Sequence, residues 1–188
     1  MDQTVKRRDS ARTRARILRA AQHVFSTRSY AESSLRDITA IADVNPSLVS
    51  RYFGSKDKLF AAALEDALGD GELLRGERSG YGRRITDFFA RQVIEDEIHP
   101  LPMLVFAAIE PTVRDLAFEL LTVRVVEPLK VWFGAAEAEE RAAQILLVTA
   151  GFFIYRHLYP LPSLQGELSP AMRRWLETEL QAIVDGGR

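Results

Sequence analysis

The stretch from Asn45 to Lys58, NPSLVSRYFGSKDK, constrains the geometry of this chain more than any other. Asn45 is a good helix cap, and Pro46 follows at the first helical position, where its missing N–H and fixed φ are harmless, so a helix starts here. That helix must be short. Gly54 supplies a left-handed residue after Phe53, and Ser55 caps a second helix beginning one residue later. Two helices that meet across a single glycine require a sharp corner. The first of them, about 46–53, leaves Ser47, Ser50, Arg51 and Tyr52 free to face outward, which suits insertion into a DNA major groove.

The residues before this corner supply its support. Ser34, with Asp37 three positions on, forms a weaker version of the capping box, and Leu35, Ile38, Ile41 and Ala42 make the apolar face of a short helix. A four-residue turn, Ala42 to Asn45, then gives helix, turn, helix over 34–53. Leu48 or Val49, with Phe53, closes a small core against Ile38 and Ile17. From Ser10 to Ser26, Ile17, Leu18, Ala21, Val24 and Phe25 recur at helical spacing opposite Arg12, Arg16 and Arg19, an amphipathic helix with a basic outer face. Tyr30 packs under the helices that follow. Residues 1–9 read as a flexible arm in which Lys6, Arg7 and Arg8 are placed to touch phosphates or a minor groove.

Charge separates this head from the rest. Residues 1–60 hold 12 Lys/Arg against 6 Asp/Glu, whereas residues 61–188 hold 13 against 20, so the overall charge of −1 conceals a basic head and an acidic body. A polyanion is attracted to the head alone. The absence of cysteine removes disulfides, thiolate metal sites and cysteine nucleophiles, and fits a reducing compartment. No apolar run is long enough for a membrane span and the N-terminus carries no signal-peptide pattern, so the expected location is cytoplasmic.

Beyond the corner, Leu59, Phe60, Ala63, Leu64, Ala67 and Leu68 keep a three–four spacing past what a small head needs to bury, so this helix, 55–68, should connect head to body. Residues 69–82 hold five glycines and read as a break. Apolar helices are expected near 85–98, 103–109 and 112–133, the last kinked or divided at Pro128. The segment 138–159 is apolar on nearly every side, which predicts burial on nearly every side and a partner for one face. Ser169-Pro170 restarts the chain into a final amphipathic helix. The fold class is therefore all-α: a three-helix head, 1–54, joined by a connecting helix to a larger helical domain within 55–188.

This order of motifs resembles the TetR-type bacterial transcriptional regulators. The carrying residues are a basic first helix and then SLRDITAIADVNPSLVSRYFGSKDKLF over 34–60, in which Ile38, Pro46, Phe53, Lys56 and Leu59 keep the family's spacing. Two positions depart from the pattern: Ser50 stands where a tyrosine is frequent, and Ser29 where a glycine is usual. The resemblance implies an all-α homodimer whose helix-turn-helix heads bind a palindromic operator in double-stranded DNA, usually as a repressor, and whose bodies hold a small-molecule inducer. It also implies phosphate contacts from Ser34 and Lys56. The expected DNA-binding set is Ser34, Asn45, Ser47, Leu48, Ser50, Arg51, Tyr52 and Lys56.

The body is rich in aromatics, and a pocket lined by some of them suits an apolar or aromatic ligand with one polar handle. Candidate lining residues are Phe88, Met103, Phe106 and Phe118, together with Phe152 and Tyr155. Glu110, Arg124, Arg156 and His157 are the candidate inward polar groups. For the dimer surface the candidates are Leu147, Gly151 and Ile154 on the all-round apolar helix and Trp175 and Leu176 on the last one. No hydrolase, metalloprotease or nucleotide-binding motif is present, so neither an enzyme nor a cofactor is expected. Glu95 and His99, one helical turn apart, could bind a metal, but Pro100 follows directly, and no metal site is expected. The competing reading is a ligand-independent DNA-binding or architectural protein.

Overall fold

The computed structural model describes residues 2–90, 99–134 and 137–186, with side chains from Arg8 onward. Among these residues it is all-α, without a strand. No helix among them is long and apolar enough to cross a membrane. The chain divides into two compact units, Met1–Gly69 with Ile98–Leu121 and Asp70–Glu97 with Thr122–Arg188.

The first unit opens with α1, Asp2–Thr27. The flexible arm expected over 1–9 is instead helical from Asp2. Residues 2–9 contain neither glycine nor proline, so nothing stops a helix already formed downstream from propagating back through them. The side chains of Lys6 and Arg7 lie outside the described residues. Helices α2 (Leu35–Ala42), α3 (Ser47–Phe53) and α4 (Lys56–Leu68) follow, and then α6 (Pro100–Ala108) and α7 (Pro111–Leu121). Ile17, Phe25, Ile38, Val49, Leu59, Phe60 and Leu64 are almost wholly buried in one cluster, and Met103, Ala107, Val113 and Ala117 of α6 and α7 belong to it. Each large side chain there contributes roughly 1.5–3 kcal/mol by leaving water. Gln22, polar on the inner face of α1, donates to the Ala63 carbonyl at 3.1 Å and to Asp66 at 2.8 Å, tying α1 to α4.

The expected helix near 103–109 begins earlier, at Pro100, because His99 caps it: its Nδ1 accepts the Leu101 N–H at 3.1 Å. Proline is harmless in that first turn. Glu95, the other half of the pair weighed for metal, lies outside the described residues.

The second unit contains α5 (Tyr81–Ala90), α8 (Glu127–Phe133), α9 (Ala138–Phe153) and α10 (Pro170–Asp185). Its core joins Tyr81, Ile85, Leu129, Phe133, Ala142, Ile145, Leu176, Leu180 and Val184. The glycine-rich break is ordered into two short 3₁₀ turns, Glu72–Leu74 and Arg78–Gly80. Of the helix expected over 85–98, α5 covers the part up to Ala90, and residues 91–98 lie outside the described residues.

Pro128 divides the 112–133 helix by a specific device. A π-helical segment, Thr122–Val126, ends α7 and leads into α8, where Pro128 occupies the first turn. Widening the helix just upstream accommodates a residue that has no N–H to give and whose ring crowds the carbonyl four residues back. The apolar helix expected over 138–159 widens in the same way, into Ile154–Leu158, with the Tyr159 N–H reaching the Ile154 carbonyl at 2.8 Å.

Helices α5 and α10 cross with their backbones in contact at Gly82. A Cβ there would lie 2.2 Å from the Glu177 carbonyl oxygen, so no larger residue fits without separating the helices. Gln181 locks the crossing, accepting the Gly82 N–H at 3.0 Å and donating to the Arg78 carbonyl at 3.0 Å.

Candidate nucleic-acid interface

Helix α3, expected from its sequence to enter the major groove, is fixed at both ends by local chemistry. Asn45 Oδ1 accepts the Ser47 N–H at 2.9 Å, and Pro46 has helical dihedrals of −53° and −32°, so Asn45 is the cap and Pro46 the first helical residue. At the other end, the Gly54 N–H closes on the Ser50 carbonyl at 3.0 Å. Gly54 has the positive φ expected of it, 84°, but its ψ is −70° and not that of a left-handed helical residue. With the Ser55 N–H 3.1 Å from the Phe53 carbonyl, the corner is a three-residue γ-turn. Only so tight a turn lets Ser55 cap α4 at once, its hydroxyl accepting the Lys58 N–H at 3.2 Å.

Between these ends, α3 sorts its side chains cleanly. Val49 and Phe53 are buried in the core, while Ser47, Ser50 and Arg51 are exposed along one stripe at i, i+3 and i+4. Leu48 and Tyr52 are half-buried against the core, so each offers only part of its side chain outward. Hydroxyls and a guanidinium on one narrow face are the donors that base edges and phosphates accept. Arg14 of α1 lies over the Phe53 ring, 5.0 Å from its centre, bringing a further cation beside the end of α3.

The flanking contacts are tighter than the sequence indicates. Ser34 is half-buried, and its hydroxyl accepts the Asp37 N–H at 3.1 Å and donates to the Asp37 carboxylate at 2.8 Å, which also faces Arg28 at 3.4 Å. In the turn, Asp43 adopts a left-handed conformation with φ of 47°, and Arg16 holds it through both carbonyl, at 3.0 Å, and carboxylate, at 3.2 Å. Aspartate tolerates that conformation better than most residues, which is the one local signal for it.

Lys56 is turned inward. Its ammonium donates to the Tyr30 carbonyl and sits 4.1 Å from the centre of the Tyr30 ring, whose hydroxyl in turn donates to Asp57. Burial lowers the Lys56 pKa from its ordinary value, against the opposing pull of Asp57 and Glu110. Burial also raises the Tyr30 phenol, helped by the Asp57 carboxylate that accepts its proton in a hydrogen bond.

Comparison with known proteins agrees with this geometry. A family model described as the tetracyclin repressor-like C-terminal domain matches residues 80–184, more than half of the chain, and one described as bacterial regulatory proteins of the tetR family matches residues 17–63. The chain belongs to the TetR family. An HTH-type transcriptional repressor of Mycobacterium tuberculosis is 49% identical over 51 residues, 27% of each chain. The HTH-type transcriptional repressor NicS of Pseudomonas putida is 39% identical over 61 residues, 32% of this chain and 29% of its own. The chain thus spans less than a third of the curated relatives it matches. Among solved structures, a transcriptional regulator of Rhodococcus sp. Rha1 superposes with a TM-score of 0.58 at 23% identity, covering 92% of this chain and 94% of that one. NalD, described as the secondary repressor of the MexAB-OprM multidrug efflux pump of Pseudomonas aeruginosa, gives 0.58 at 18%, covering 94% and 97%. At these identities the superpositions speak for the fold alone.

The body candidates of this TetR-family chain fall in different surroundings. Met103, Phe106, Glu110 and Phe118 belong to the first unit and Phe88, Arg124, Phe152 and Tyr155 to the second. Met103 and Phe152 are buried, Phe106, Glu110 and Arg124 half-buried, and Phe88, Phe118 and Tyr155 exposed. Arg156 is buried, and its guanidinium donates to the carbonyls of Leu164, Gly166 at 2.9 Å and Ala90 at 3.1 Å, so it staples main chain together. Among the dimer candidates, Leu147 is 73% and Trp175 53% exposed, Gly151 opens on empty space, Ile154 is half-buried, and Leu176 fills the core of its own unit.

Proposed function

We propose that this chain is a DNA-binding transcriptional regulator that acts as a homodimer on a palindromic operator, and that it represses until an apolar or aromatic small molecule releases it. The observation that carries the reading is the exposed stripe of Ser47, Ser50 and Arg51 on a seven-residue helix anchored at both ends, polar groups that the core does not use. One such helix contacts too few base pairs for specificity. Two copies related by a two-fold axis place recognition helices about 34 Å apart, on successive major grooves.

Exposed Leu147 and Trp175, with the open backbone at Gly151, support a dimer face on α9 and α10. The aromatic side chains of the body support the ligand, and release needs only that the ligand prefer a head spacing that does not fit DNA. Repression is the activity printed for relatives such as NicS, and supports that sign of regulation here.

Sequencing the DNA fragments retained by the purified protein tests the reading. Enrichment of an inverted repeat is the expected result, and retention without sequence preference contradicts it. Apolar and aromatic compounds that raise the melting temperature, and lower affinity for the enriched fragment, identify the inducer class.

A further inference from the structure

The peptide unit between Tyr30 and Ala31 is gripped from both sides by opposite charges. Its carbonyl accepts from the Lys56 ammonium at the start of α4, and its N–H donates to the Glu110 carboxylate at 3.4 Å. Both charges have the sign that the peptide dipole favours, cation at the oxygen and anion at the N–H. Hydrogen bonds chained in this way strengthen one another, and an ionised partner at each end strengthens both.

The two charges come from different places. Lys56 is the second residue after Gly54, so its seat sets the α3–α4 corner on which the recognition helix hangs. Glu110 lies in the corner between α6 and α7, where its own carbonyl accepts the N–H groups of Val113 at 3.1 Å and Arg114 at 2.9 Å and so starts α7. Tyr30 itself is held by stacking on Phe25 and by edge contact with Phe60. The Tyr30 ring is therefore anchored by its neighbours, whereas the orientation of the peptide that follows it depends on the two grips.

We propose that Glu110 is a positioning residue for DNA binding: through the Tyr30–Ala31 peptide it holds the seat of Lys56, and so couples the α6–α7 corner to the corner that orients the recognition helix. The proposal rests on the DNA-binding reading above. At 3.4 Å the Glu110 contact is long, so a small displacement of the α6–α7 corner makes or breaks it, whereas the ring and carbonyl seat of Lys56 survives as a weaker one.

The test uses the full chain and the DNA fragments that the wild-type protein itself enriches. E110A, and to a lesser degree E110Q, is expected to lower affinity by about fivefold or more while leaving the slope of log affinity against log salt unchanged, because no phosphate contact is removed. In a K56A background the same substitution is expected to change affinity little, since the group it positions is gone. Exchange of the Ala31 amide proton, measured without DNA, is expected to speed up in E110A. Wild-type affinity in E110A, an equal loss in the K56A background, or unchanged Ala31 exchange overturns the proposal. A wild-type chain that enriches no DNA overturns the DNA-binding reading and this inference with it, and is seen before any variant is made.

Discussion

The Lys56 ammonium lies 4.1 Å above the Tyr30 ring, and the Tyr30 hydroxyl reaches back to Asp57, the next residue of α4. One side chain from the α1–α2 turn thus holds two consecutive residues at the start of α4. Tyr30→Phe keeps the stacking on Phe25 and loses only the Asp57 bond, so it is expected to cost about 1 kcal/mol in urea denaturation. Tyr30→Ala also empties the aromatic cluster and is expected to cost about 3 kcal/mol or more. Equal losses in the two variants would contradict this division.

Gly54→Ala tests the corner. The added methyl meets only the Lys58 side chain, at 3.6 Å, so space is not the obstacle. The φ of 84° is. A loss of about 1–3 kcal/mol is expected, with DNA affinity falling further than stability because the recognition helix is re-aimed. Unaltered melting and binding would show that the γ-turn is dispensable.

Gly82 and Gly151 make a contrasting pair. Alanine at Gly82 would drive a methyl into the Glu177 carbonyl, and overpacking of about 1–3 kcal/mol is expected in thermal unfolding. At Gly151 nothing lies within 4 Å, so alanine is expected to stabilise the isolated protomer by roughly 0.5–1 kcal/mol through helix propensity alone. If a second copy packs on that face, sedimentation of the same variant will show a weaker dimer.

His157 carries a pH dependence. Burial and the neighbouring Arg156 guanidinium both lower its pKa from the ordinary value of 6.5. The unfolded chain therefore takes up the proton first, so this contribution to stability is present above about pH 6.5 and is lost as pH falls below it. His157→Phe retains the ring contact with Phe153 and is expected to flatten the melting temperature between about pH 7 and 5. A wild-type profile already flat there would contradict the assignment.

What was legible in the sequence follows from how local each device is. Asn45, Pro46 and Ser55 act on backbone groups within three residues of themselves, and all three do what their types predict. Gly54 announced a positive φ but not a ψ, because glycine tolerates both the left-handed and the γ-turn conformations. Pro128 announced an interruption, whereas the π-helical widening upstream depends on how the neighbouring carbonyls rearrange. The first turns of α1 are not legible, because a polar, charged segment reads as an arm unless the helix behind it is known to continue. Arg16 with Asp43, Lys56 with Tyr30, and Ala31 with Glu110 lie 27, 26 and 79 positions apart, and no periodicity connects such pairs. Glu110 in particular reads from the sequence only as a polar candidate for a ligand pocket.

The most direct test is the affinity of the full chain for its own enriched fragment across a series of salt concentrations, compared with a variant carrying Ser47→Ala, Ser50→Ala and Arg51→Ala together. The wild-type protein is expected to lose affinity steeply with salt, and the variant to bind that fragment no better than unrelated DNA while melting within about 1 kcal/mol of wild type, since these side chains are exposed. A variant that still distinguishes the enriched fragment from unrelated DNA would show that α3 does not read the sequence.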